Sequence, residues 1–163
     1  MEWRTKNANF SILIKGLLHD KDSEKRAEFA RQLGFLRDTR SVNLMCRALK
    51  TETNPVVVNR IIEALGRIGD GRATLSILEK FEIEVKKSEI NSDKLRIIFI
   101  IESLTRIKDK RALEFIVHYI DSPDGTIFEL AQNAFDIIQP NWREIIKKNQ
   151  KERSLQDIFK TSK

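Results

Sequence analysis

Few residues in this chain are of a type and spacing that could do chemistry. The two histidines, His19 and His118, lie far apart and have no metal-ligand spacing. They are also too few for a Ser-His-Asp or Cys-His arrangement. The single cysteine, Cys46, rules out an internal disulfide and a cysteine-based zinc site. It sits in the apolar run Leu44-Met45-Cys46 and reads as core; the adjacent Arg47 leaves a reactive thiol as the alternative. Gly66, Gly69 and Gly71 are spaced like a phosphate loop, but they follow a helical pattern and no Lys-Ser/Thr comes after them. They read as a turn between helices. Charged pairs of the form Asp-x-Arg recur at Asp38, Asp70 and Asp109. One copy per repeat fits a structural ladder, whereas an active site would break the repeat at one place. The expectation is therefore no catalytic, cofactor-binding or metal-binding residue, and no enzyme.

The elements that carry these residues form an internal repeat. AEFARQLGFLRDTRSVNLMCRAL from Ala27 aligns with NRIIEALGRIGDGRATLSILEKF from Asn59 and with RIIFIIESLTRIKDKRALEFIVHYI, whose Ile98 falls opposite Ala27. Leu33, Leu65 and Leu104 are equivalent, as are Leu36, Ile68 and Ile107. The spacing is 32 and then 39 residues, the surplus falling in the polar stretch Glu84 to Asn91. A degraded copy begins near Thr126, with Phe135 and Ile138 in the Leu and Ile places. Each unit reads as two helices. The first carries an apolar stripe (Ala27, Ala30, Leu33, Leu36; Ile62, Leu65, Ile68) at i, i+3 spacing. Gly34 and Gly66 beside the stripe leave room for a neighbouring helix. The turn Asp is expected to cap the second helix, whose core positions are Val42, Met45, Leu49; Ile77, Leu78, Phe81; and Leu113, Ile116, Ile120. Asn54-Pro55, Thr126 with Glu129, and Ser154 with Asp157 read as helix starts, and Ser122 to Gly125 as a turn. Phe10 to Leu18 reads as a lone helix, for roughly nine helices in all. The expected division is one domain over 1–163: a capping helix in 1–22, full repeats in 23–53, 54–91 and 92–124, a degenerate repeat in 125–153, and a C-terminal helix and tail in 154–163.

The pattern A-x2-A-x2-L-G-x-L-x-D-x-R, carried by Ala27, Ala30, Leu33, Gly34, Leu36, Asp38 and Arg40, resembles the short HEAT-like repeats first grouped with the phycobilisome lyase subunits. The likeness covers about Asn9 to Gln139. It implies an all-α fold: a right-handed α-solenoid of antiparallel helix pairs, an armadillo-like superhelix. Proteins similar to this include scaffolds, adaptors, lyase partners and nucleic-acid binders, so the fold does not settle an activity. Some HEAT-like relatives excise alkylated bases using aromatic and acidic residues gathered in a groove. Trp3 and Trp142 stand at opposite ends here, which speaks against that reading.

The resemblance also implies that the second helices line a concave binding face. Its outward residues would include Leu44, Arg47, Leu75, Glu79, Phe115, His118 and Tyr119. Apolar and aromatic anchors within a rim of both charge signs suit a protein partner, with Phe115 and Tyr119 alternatively packing as core. The net charge is +6, of which +4 falls from Asn141 onward. Arg143, Lys147, Lys148 and Lys151 form a basic patch that could meet phosphates. The leading expectation is a non-catalytic interaction module or adaptor for another protein, without cofactor. The alternatives are a nucleic-acid-associated protein using the basic C-terminal helices, or a lyase-like accessory subunit. The longest wholly apolar stretch, Ile97 to Ile101, is far short of the ~18 residues of a membrane span, and the N-terminus has no apolar leader core. A soluble cytoplasmic protein is expected.

Overall fold

Strong start and stop signals occur at short intervals along this chain, and they cut it into helices. The computed structural model describes residues 2–87, 91–149 and 154–160. Among the described residues there are ten α-helices and no strand, so the fold is all-α. The chain divides into two compact units, Met1–Ser76 and Ile77–Lys163.

The first unit holds α1 (Glu2–His19), α2 (Ser23–Leu36), α3 (Val42–Thr51) and α4 (Pro55–Ile68), and the start of α5 (Thr74–Val85). Helix α2 packs along α4 and against α1, and α3 packs on α4. Ala30 and Leu33 of α2, Met45 and Leu49 of α3, and Ile61, Ile62 and Leu65 of α4 are all fully buried. The close approach of α2 to α4 depends on Gly34: a Cβ there would lie 2.8 Å from both Cα and Cβ of Ala64. Asn54 caps α4 by accepting from the amides of Val56 and Val57, with Pro55 in the first turn, as read from the sequence.

The turn aspartates do cap, with a refinement. Asp38 and Asp70 each accept from the amide two residues on, Arg40 and Arg72, at 2.9 Å. What they open is a single 3₁₀ turn, Thr39–Ser41 and Gly71–Ala73, which leads into the second helix. The paired arginine closes back on the same carboxylate, and Arg72 also donates to the Thr39 carbonyl in the preceding repeat's turn at 2.9 Å. These guanidinium bonds, with the amide bond, hold the Asp38 and Asp70 carboxyls below the usual carboxylate range. Immediately before each aspartate the chain turns left-handed, at Arg37 (φ 49°), Gly69 (φ 74°) and, in the second unit, Lys108 (φ 61°). Only the middle copy uses the residue that adopts this conformation without a Cβ penalty.

The second unit holds the rest of α5, α6 (Lys94–Ile107), α7 (Leu113–Ile116), α8 (Gly125–Ile138), α9 (Trp142–Asn149) and α10 (Leu155–Phe159). Helix α6 packs on α8, and α7 on α8. The second helix expected at 113–120 is broken: α7 has four residues and continues as a 3₁₀ turn, Val117–Tyr119. Leu113, Ile116 and Ile120 are nevertheless buried as the stripe requires. The capping box expected at Thr126 and Glu129 does not form. Asp124 is the cap instead, accepting from the Thr126 and Ile127 amides, because the turn places its carboxylate one residue before the helix begins. Ser154 caps α10 and donates to Asp157, as the sequence suggested. The short α10 packs on α7 and α9, and its Phe159 ring meets Phe135 edge-on at 4.9 Å.

One part of the expected stripe is not core. Leu33, Leu65 and Leu104 are fully buried, but Leu36 is 49% exposed and Ile68 and Ile107 are only half-buried. The last turn of each first helix leaves the interface before the left-handed residue ends it.

Candidate functional site

The second helices position the residues expected to meet a partner. In the first unit, Arg47 is exposed on α3 beside half-buried Leu44. Leu75, in the first turn of α5, is 58% exposed. An apolar side chain so placed is available to a partner rather than to the core.

In the second unit the picture differs. Glu79 and His118 are exposed. Phe115 and Tyr119 are half-buried, stacked on the fully buried Phe81 of α5 with ring centroids 6.1 and 5.5 Å away. The Tyr119 ring is nearly parallel to that of Phe81, at 6°. Burial, reinforced by the Glu84 carboxylate, pushes the Tyr119 phenol up to about 12. These two rings close the core over Phe81 and present only their outer parts.

Glu84 gave no signal in the sequence, where it reads as the start of a polar stretch. In the fold its side chain is fully buried. Its carboxylate pairs with Lys87 at 2.8 Å and Arg96 at 3.4 Å, and accepts from the Asp93 amide at 2.9 Å. It thus ties the end of α5 to the start of α6. Only the tertiary return of Arg96 and Asp93 makes burial of that charge tolerable. A cavity of about 440 Å³ lies beside it, lined among others by Lys87, Lys94, His118, Tyr119 and Asp121.

The basic residues of the C-terminal end are partly committed. Arg143 pairs with Asp136 at 2.6 Å, donates to Gln132 and lies 4.2 Å over the Trp142 ring. Trp142 itself donates to Asp136 at 2.7 Å. Lys147 and Lys148 are exposed on α9; Lys151 lies outside the described residues, as does the side chain of Trp3. The charge is also distributed differently from what the run of lysines suggests. The unit Met1–Ser76 holds fourteen basic and nine acidic residues, and Ile77–Lys163 sixteen and fifteen. Nearly all of the net positive charge therefore belongs to the first unit.

The remaining candidates fall into structural places. Cys46 is half-buried on α3. His19 ends α1. Gly69 caps α4 and Gly71 opens a 3₁₀ turn, so neither forms a phosphate cradle. Among the described residues no group of His, Cys, Asp and Glu is placed to hold a metal ion, and no helix is long and apolar enough to cross a membrane.

Residues 10–82 match the model of a family described as HEAT repeats. The match is to HEAT repeats as a class. No curated protein matches the chain.

Proposed function

We propose that this chain, a HEAT-like repeat protein, is a non-catalytic adaptor that binds a protein partner along the outward side of its second helices. HEAT repeats generally mediate protein–protein interaction and are typically non-catalytic. The observation that carries the finer reading is Leu75, 58% exposed at the start of α5, in the same unit as exposed Arg47 and half-buried Leu44. Exposed aliphatic and arginine side chains on the second helices are the residue types of interface anchors. The aspartates that could have suggested acid–base work are engaged as helix caps.

The test is affinity purification of the tagged chain from its native host after nuclease treatment, alongside Leu75→Asp, Arg47→Glu and a Lys147→Glu/Lys148→Glu pair. A protein should co-purify in stoichiometric amount and be lost with Leu75→Asp, a change of ~2 kcal/mol or more if Leu75 is a hot spot. The lysine pair should leave it in place. Binding lost with the lysine pair and kept with Leu75→Asp would overturn this reading in favour of the basic C-terminal end. Phe115→Ala and Tyr119→Ala require a parallel stability measurement, since both rings also cover Phe81.

A further inference from the structure

The first unit carries a second surface, built by helices α1 and α2. Phe29, Gln32 and Leu36 recur at i, i+3 and i+7 on α2. At 100° per residue they lie nearly half a turn around the helix from Gly34, the residue that lets α4 approach. Helix α2 thus has α4 on one side and, on the other, a face that carries Phe29 and Leu36 with the polar Gln32 between them. Helix α1 covers that face only in part, at Phe29, and contributes Asn9, Ile12 and Leu13 to the depression that remains, a groove of about 470 Å³. Ile12 is 61% exposed, Phe35 58% and Leu36 49%, so three of the large exposed apolar side chains among the described residues line one groove. Scattered exposed hydrophobics need no explanation, but a contiguous patch in a concave surface marks a binding site.

The floor is already shaped. Gly16 of α1 lies against the Phe29 ring, close enough that a Cβ there would come within 2.3 Å of it. The ring therefore rests on the α1 backbone. At the rim, Arg31 and, from α4, Arg67 both stack on Phe35, 5.1 and 4.4 Å from its centroid. Arg31 is oriented by Glu28, and Arg67 by Glu63. Held on an exposed ring in this way, the guanidinium groups lose less freedom when a carboxylate approaches.

The geometry points to this groove as the docking site for an acidic amphipathic helix of a partner protein, lying in the trough between α1 and α2. The shape selects a helix, because Ile12 and Leu13 of α1 and Phe29, Phe35 and Leu36 of α2 line a trough between two helices. The charge selects an acidic one. The unit that carries the groove holds fourteen basic against nine acidic residues, and arginines flank the aromatic wall. Apolar side chains at i, i+3, i+4 and i+7 would fill the space between Ile12, Phe29 and Leu36, and flanking carboxylates would meet Arg31 and Arg67. A second copy of this chain is a poor occupant, since it would bring no acidic excess to a unit that is itself positive. This surface is separate from the outward side of the second helices, so it stands or falls by its own variants.

Two labelled helical peptides with the same leucine stripe serve as probes, one flanked by glutamates and the other by lysines, titrated into the full-length chain by fluorescence anisotropy. The glutamate peptide should bind saturably and on the order of tenfold or more tighter than the lysine peptide, with the difference shrinking as salt is raised. Ile12→Asp and Phe35→Ala should each weaken the glutamate peptide by about tenfold or more. Both positions are exposed, so the melting curves should stay close to that of the parent. Leu75→Asp should leave peptide affinity unchanged, which separates this site from the second-helix face. The inference is overturned if neither peptide binds, if both bind alike, or if binding survives Ile12→Asp. It is equally overturned if the chain forms a dimer that Ile12→Asp dissociates, which would make a second copy the occupant.

Discussion

Replacing Gly34 by alanine sets two known effects against each other, and the structure decides which wins. In a helix interior alanine is favoured over glycine by about 1 kcal/mol. If α2 had open space at this position, Gly34→Ala would stabilise the protein by that amount. The added Cβ, however, would lie 2.8 Å from both Cα and Cβ of Ala64, where carbon atoms prefer ~3.5–4.0 Å. The obstruction is backbone, so no side-chain rotation relieves it, and α2 and α4 must separate by about 1 Å. That separation loosens an interface in which Ala30, Leu33, Ile61, Ile62 and Leu65 are fully buried. Overpacking of this kind costs ~1–3 kcal/mol. With the propensity gain subtracted, Gly34→Ala should be destabilising by up to about 2 kcal/mol in urea titrations followed by circular dichroism at unchanged slope. Ala64→Gly in the Gly34→Ala background removes the Cβ clash but not the Cα clash. A double-mutant cycle should therefore show coupling on the order of 0.5–1 kcal/mol. A Gly34→Ala protein more stable than the parent by ~1 kcal/mol would refute the close approach of these helices.

Other consequences can be checked in the same material. Leu104→Ala, at a fully buried position of α6, should cost ~2–5 kcal/mol in the same titration; an unchanged curve would show that the repeat register is wrong. Lys108→Gly should be neutral to stabilising by up to ~1 kcal/mol, because Lys108 holds φ at 61° with a Cβ, whereas Gly69→Ala at φ 74° should be destabilising by ~1 kcal/mol. Asp70→Ala should cost ~0.5–2 kcal/mol from the lost cap. Since the folded Asp70 carboxyl titrates below its usual range, that contribution is present above the ordinary carboxylate pKa and disappears as pH falls through the depressed folded value. The variant should therefore lose less stability on acidification than the parent. Tyr119 is the single tyrosine, so tyrosinate absorbance reports it alone: the folded protein should titrate at about 12, and the unfolded chain near ~10. Stability tied to the neutral phenol is intact below the unfolded value and declines as pH rises toward the folded one, so Tyr119→Phe should flatten that alkaline loss. A folded-state midpoint at the ordinary tyrosine value would contradict the burial of this phenol beside Glu84.

What the sequence by itself determined was local. Helix starts at Asn54 and Ser154, the capping role of Asp38, Asp70 and Asp109, and the burial of Leu33, Leu65 and Leu104 follow from short-range hydrogen bonding and from a period of 3.6, both of which are written in adjacent residues. The choice between Thr126 and Asp124 as a cap was also local, but it turned on which residue the Ser122–Gly125 turn left just outside the helix. Periodicity says which side of a helix is apolar; it does not say whether a neighbour arrives to cover it. That is why Leu36 reads as core and is exposed, and why the groove between α1 and α2 had no signature beyond ordinary amphipathic spacing. Phe115 and Tyr119 could have been anchors or core until Phe81 was placed beneath them. Glu84 became a buried anchor only when Arg96 and Asp93 returned to it across a loop, and Arg72 reached the Thr39 carbonyl of the preceding turn only because the repeats stack. Each of these depends on two segments distant in sequence meeting at a few ångströms, a condition set by the packing of whole helices rather than by the residues on either one.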